Sequence, residues 1–253
     1  MARLDGKRCL VTGGANGIGR AIAEAFAVEG GDVFITSRAD PAAAAAVCAG
    51  IAGMGRQTGF LVMEAETPDA VESLFTAAQA CLGRIDVLVN NAATAARTPF
   101  LEMSEAEYDR TMTVNLRFPF FTTQRFARTC VADGRPGSVI NVASVSATKA
   151  ISRLSAYQCS KAGLVMLTRG AAYELAPWGV RVNTLSPGLT ATKGNADQWR
   201  DNPVLWQERG RDLPLGRAGT PADMAGAAVF LACDQSAWMT GGEIVVDGGD
   251  SVI

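Results

Sequence analysis

The chain of 253 residues contains no histidine, which removes the commonest metal ligand and the commonest general base near neutral pH. Any acid–base chemistry needs another proton carrier. Its six cysteines (Cys9, Cys48, Cys81, Cys130, Cys159 and Cys233) are scattered, with no Cys-x-x-Cys pair and no framework of the kind secreted domains carry, and read as reduced, buried and small. With 23 Lys+Arg against 25 Asp+Glu, the net charge is −2, and no run of basic residues marks a nucleic-acid surface. The longest uncharged stretch, from Pro41 to Gly55, is mostly Ala and Gly. It falls short of the roughly 20 strongly apolar residues of a membrane span and reads as an Ala-rich helix. Residues 1–12 hold no apolar leader, and no myristoylation glycine follows Met1. A cytoplasmic protein that binds neither nucleic acid nor membrane is expected.

What the chain does contain is a regular alternation. Arg8 to Thr12 reads as a strand running into glycines, and Ile18, Ile22, Ala25 and Phe26 follow at helical spacing. Gly30-Gly31 closes that helix, and Val33 to Thr36 is a second strand. Further strands are expected at Gly59–Met63, Ile85–Asn90, Ser138–Val142, Val180–Leu185 and Glu243–Val246. Helices are expected at Pro68–Leu82, from about Ser104 into the 120s, at Ser155–Ala176 and at Pro221–Cys233. Strands separated by helices of ten to twenty residues give an α/β fold, a parallel sheet with helices on both faces. No linker or repeat divides it, so residues 1–253 read as one domain. Only about 188–216, broken by Pro and Gly and carrying Trp199 and Trp206, reads as an inserted loop or set of short helices.

Two motifs carry chemistry. Thr12-Gly-Gly-Ala-Asn-Gly-Ile-Gly19, between the first strand and helix, lets backbone approach a pyrophosphate at a helix N-terminus. Tyr157-Gln-Cys-Ser-Lys161 puts a phenol and an ammonium on one helix face. A free tyrosine has a pKa of about 10, so a neighbouring cation that favours the phenolate is the requirement for acid–base work near neutrality. Taken alone, such a pair also fits a solvated helix face.

Together with their companions, these motifs resemble the short-chain dehydrogenases/reductases, in their branch of about 250 residues. Gly13, Gly17 and Gly19 match the cofactor loop, with Asn16 and Ile18 between them. Asn90-Asn91-Ala92-Ala93 matches the Asn-Asn-Ala-Gly strand end, Asn115 the helical asparagine, and Ser144 the serine thirteen residues before Tyr157. Pro187-Gly188, with Thr190 and Thr192, matches the segment over the nicotinamide, and Asp247-Gly248-Gly249 the C-terminal signature. The resemblance implies a single-domain Rossmann-like, doubly wound sheet and a homotetramer packed through the helices carrying Asn115 and Tyr157. Leu164, Leu167, Ala171 and Leu175 form an apolar stripe there, which burial on the chain's own sheet would explain equally well.

The implied activity is hydride transfer between a nicotinamide cofactor and a carbonyl or secondary alcohol. In it Tyr157 is the general acid–base group, Lys161 favours the phenolate and binds the cofactor ribose, Ser144 orients the substrate oxygen, and Asn115 supports a water-linked proton path. Two departures stand out: Glu64 where the family commonly has Asp against the adenine, and Ala93 for Gly. The position that selects the cofactor is Ser37, uncharged and followed by Arg38, a guanidinium suited to a 2′-phosphate. NADP is therefore expected over NAD, although Asn16 is neutral and Asp40 lies close by. Lys149 and Arg153 suit either an acidic substrate group or a solvated rim, and Trp199 and Trp206 either a lid wall or packing within the insertion. A catalytically silent NADP-binding regulatory or scaffold protein is the alternative, and a sugar-nucleotide epimerase would need a further C-terminal substrate domain for which 253 residues leave no room.

Overall fold

A computed structural model describes residues 2–253. Seven parallel strands lie in the order β3-β2-β1-β4-β5-β6-β7: β1 Arg8–Val11, β2 Asp32–Ser37, β3 Thr58–Val62, β4 Val87–Asn90, β5 Gly137–Val142, β6 Val180–Pro187 and β7 Glu243–Val246. Each expected strand is present, with ends displaced by at most two residues.

Because successive side chains on a strand point to opposite faces, the sheet feeds two cores. Val11, Val33, Ile35, Val89 and Ile140 pack with α1 (Gly17–Val28), α2 (Pro41–Gly53) and α9 (Pro221–Ala232). Leu10, Phe34, Leu88, Val139 and Val182 pack with α3 (Ala70–Leu82), α5 (Phe118–Ala132) and α6 (Ser155–Leu175). The stripe Leu164, Leu167, Ala171 and Leu175 belongs to these inner surfaces, Leu164 being fully buried. It therefore gives no indication of a subunit contact. The outer face of α6 instead shows Met166 and Tyr173, 63% and 86% exposed.

Strand order reverses between β1 and β4, whose chains leave toward opposite sides. In open α/β sheets this switch point, beyond the carboxyl ends of the strands, is where ligands bind. The glycine loop, Asn91, Ser144 and Pro187 all lie at that edge.

One long helix was expected from Ser104 into the 120s, and the structure divides it. α4 (Glu105–Met112) starts at a capping box in which Ser104 and Glu107 satisfy each other's backbone amides, and α5 begins with Pro119 in its first turn. Between them Thr113–Arg117 forms a π turn centred on Asn115, a wide turn that apolar spacing cannot reveal and that tends to occur at functional sites. The insertion is ordered: a short helical turn at Lys193–Asn195 precedes α7 (Ala196–Trp199) and α8 (Pro203–Arg211).

Candidate active site

An open cleft of about 1240 Å³ runs along the strand ends. At one end lies the glycine loop. Gly13 and Gly17 adopt positive φ (66° and 53°), which only glycine takes without strain. A side chain at Gly19 would press on the backbone of Gly13 and the amide of Asn91. Neighbouring elements pin the loop: Gly13 N donates to Thr36 Oγ1 (2.9 Å), and Asn91 Nδ2 donates to the carbonyls of Thr12 (2.9 Å) and Gly13 (3.2 Å). Thr12 Oγ1 in turn accepts from the amides of Asn91 (2.9 Å) and Ala92 (3.1 Å). The paired asparagines thus divide their work. Asn91 holds the loop, while Asn90 is buried and donates to Asn141 Oδ1 at 2.8 Å, which fixes β4 against β5. Ala93 is accommodated because its backbone is not in the left-handed region.

α1 starts at Gly17 with no side-chain cap from Asn16 and no acidic residue in its first turn. Its unpaired amides and the positive end of its dipole border the cleft beside Asn16 and Ile18, an arrangement that suits a pyrophosphate. Farther along, the cleft meets Ser37, Arg38, Ala92, Pro187, Gly188, Thr190 and Thr192.

Tyr157 and Lys161 stand side by side on α6, with the ammonium 5.6 Å from the centre of the phenol ring. Lys161 is 2% exposed and donates one N–H to Val142 O at 2.8 Å, leaving two donors uncommitted. Burial without a carboxylate partner pulls its pKa down to about 8. Burial likewise pushes the Tyr157 phenol up, opposed by hydrogen bonding to Ser144 and by the charge of Arg97. The cation expected to act on the phenol was Lys161, and the structure adds Arg97. Being outside every motif, Arg97 escapes sequence reading, because only the fold brings its loop to the cleft. Ser144 Oγ accepts from Ser146 N at 3.1 Å, which fixes the hydroxyl at the end of β5.

Asn115 lies at the centre of the π turn. It is fully buried, its Oδ1 accepts from Thr94 N (2.8 Å), and its Nδ2 donates to Thr94 O (2.8 Å) and Ser160 Oγ (3.0 Å). Both amide protons are committed, so the side chain fastens the Thr94 loop to α6. Glu64 does not meet the cleft: it is exposed, and Met63, Ala65 and Glu66 form that wall instead. The Ser37 hydroxyl donates to Asp40 O (3.1 Å) and accepts from Asp40 N (3.2 Å), closing a turn with its own loop.

Neither basic residue before Tyr157 is a free substrate anchor. Lys149 is tied to Asp250 through its carboxylate and carbonyl (both 2.8 Å). Arg153 is exposed, has φ 66° and donates to Arg97 O at 3.2 Å. Trp199 donates its indole N–H to Thr192 O (2.8 Å), and Trp206 lies under the Arg209 guanidinium. Trp199 thus ties α7 to the segment before it, and neither tryptophan lines the cleft, whereas Gln198 and Arg209 do.

Comparison with known proteins agrees with this geometry. Residues 13–251 match the protein family described as enoyl-(acyl carrier protein) reductase. An L-rhamnose 1-dehydrogenase (NAD(P)(+)) of Azotobacter vinelandii is 38% identical over 246 residues, covering 96% of each chain. A D-threitol dehydrogenase of Mycolicibacterium smegmatis is 38% identical over 255 residues, 99% of this chain and 95% of that one. The solved 3-oxoacyl (acyl-carrier-protein) reductase of Agrobacterium tumefaciens C58, with NADP bound, superposes with a TM-score of 0.91 at 34% identity, covering 97% of this chain and 95% of that one. The chain belongs to the short-chain dehydrogenase/reductase family. It is an NAD(P)-dependent oxidoreductase acting at an alcohol or carbonyl carbon, and nothing in these relatives supports the silent alternative. No helix among the described residues is long and apolar enough to cross a membrane.

Proposed function

We propose that the chain is an NADP-dependent carbonyl reductase and alcohol dehydrogenase for small polyhydroxylated substrates of the sugar or polyol kind. The observation that carries the chemistry is a phenol, a serine hydroxyl and a buried ammonium converging at the cleft beside an uncapped helix N-terminus. A nicotinamide cofactor held through its pyrophosphate at that N-terminus would supply or take up the hydride. Tyr157 holds a proton at its Oη and gives it to the carbonyl oxygen in reduction, or removes it in oxidation. Ser144 donates to the same oxygen, where negative charge develops. The two free N–H groups of Lys161 serve the phenol and the cofactor ribose. Asn115 is a positioning residue, and any water-linked path runs from the π turn's main chain.

Four observations support the finer assignments. Arg38 borders the cleft where no carboxylate replaces Ser37, and a relative was solved with NADP bound, which favours NADP. Arg97, Gln198 and Arg209 make the substrate end rich in donors, and two relatives are named for a sugar and a polyol. All six cysteines are free thiols, in keeping with the cytoplasm. The exposed apolar side chains on α5 and α6 (Phe120, Phe121, Met166 and Tyr173) suit the homotetramer. A panel of sugars, polyols, simple ketones and acyl thioesters, each assayed with both cofactors at the nicotinamide absorbance, tests the reading. Turnover confined to acyl thioesters, or to NAD, would contradict it.

A further inference from the structure

The insertion reaches back across the cleft to the end of β2. Thr192 stands against Gly17, its side chain within ordinary contact distance of any Cβ placed there (3.4 Å). One residue on, Lys193 Nζ donates to Asp40 Oδ2 at 2.8 Å. Asp40 sits in the turn closed by Ser37, and its other oxygen accepts from Ala43 N at 3.0 Å, capping α2. The pair joins residues 153 positions apart and borders the cleft on both sides. Beside it Arg38 is exposed and makes no side-chain hydrogen bond or ion pair among the described residues.

We infer that Lys193, supplied by the insertion, forms with Arg38 the site for the 2′-phosphate of NADP and neutralises Asp40, which would otherwise repel that group. This rests on the reading of the cleft as a nicotinamide dinucleotide site.

A ribose 2′-phosphate carries between one and two negative charges near neutrality. At this rim two cations face one carboxylate, so the local charge is +1 with Lys193 in place and zero without it. Lys193 has three donors and spends one on Asp40, so it can hold the carboxylate and a phosphate oxygen together. Side-chain exposures of 67% for Lys193 and 35% for Asp40 make the pair weak and easily opened. Asp40 keeps its cap to α2 whichever way Lys193 turns. Adding the phosphate therefore draws the insertion down over the cofactor, whereas NADH, with free hydroxyls there, gives the ammonium nothing to hold. The choice of cofactor is then made partly by a segment far in sequence from β2.

The test is fluorescence titration of NADPH and NADH against the wild type, Lys193→Met, Lys193→Arg and the double variant Asp40→Asn/Lys193→Met. Loss of a charge-assisted contact corresponds to roughly ten- to a hundredfold in affinity. Lys193→Met is expected to weaken NADPH by that factor and NADH by less than about threefold. Lys193→Arg keeps the preference, which separates lost charge from a disordered insertion. The double variant recovers part of the NADPH affinity, because the unmasked carboxylate is gone. Hydrogen exchange in residues 190–199 slows more with NADPH than with NADH. Parallel losses of both cofactors in Lys193→Met, or unchanged NADPH affinity, overturn the inference while leaving the dinucleotide site standing. A wild type that binds neither cofactor overturns the underlying reading and this inference with it.

Discussion

Replacing Lys161 by Met should make the cofactor-free protein more stable while removing its activity. Lys161 is 2% exposed and has no carboxylate partner. The fall of its pKa from about 10.5 to about 8, at about 1.4 kcal/mol per tenfold change in the equilibrium, amounts to about 3 kcal/mol. Against this stands the hydrogen bond to Val142 O, worth about 1 kcal/mol. Methionine fills a similar volume without a charge, so the net expected gain at pH 7 is about 2 kcal/mol. For a domain of this size that corresponds to a rise of about 4–8 °C in Tm. The pH dependence follows from the direction of the shift. Because the folded-state pKa lies below the unfolded one, the unfolded chain holds the proton more tightly between about pH 8 and 10.5. Wild-type stability should therefore rise with pH through that window, with the full cost present below it. The Met variant lacks this rise, and its advantage shrinks as the pH approaches 10. Guanidinium unfolding of both proteins at pH 7 and pH 9.5 measures the effect. A Met variant less stable at pH 7, or one with the same rise toward pH 9.5, would refute the reasoning.

Other outcomes follow from the same contacts. Arg38→Ala should weaken NADPH by roughly ten- to a hundredfold and NADH by little, as measured by fluorescence titration. Gly19→Ala forces a methyl against Gly13 and Asn91. It should destabilise the fold by about 1–3 kcal/mol in thermal unfolding and weaken both cofactors alike. Light scattering at micromolar concentration should give four times the 26.4 kDa chain mass, and a monomeric mass would refute the tetramer.

Much of this molecule is legible from sequence, for identifiable reasons. The parallel sheet follows from β-branched runs separated by helical spacing, and the dyad from a four-residue interval that any α-helix converts into adjacency. What escapes are contacts made only by the fold. Arg97 comes to the same cleft as Tyr157 from a loop of irregular backbone, and Lys193 meets Asp40 across 153 residues. The committed amide of Asn115 depends on a π turn that leaves no compositional trace. The apolar stripe on α6 is open to two readings, since a sequence pattern cannot say whether a buried face meets its own sheet or a neighbour, and packing places it on the inner surfaces. Glu64 missed the cleft because the chain turns there, putting Ala65 and Glu66 on the wall.

The central claim is that Tyr157 carries the proton. Tyr157→Phe removes one oxygen and leaves the ring's volume nearly intact, so the cleft should still bind the reduced cofactor within about twofold of the wild type. Turnover of any substrate found in the panel should fall by at least about a thousandfold, within the range for removing a general acid. Measuring both quantities on one preparation decides the matter. Retained binding with abolished turnover is the expected result, and a Phe variant that keeps a tenth or more of the wild-type rate would contradict the account.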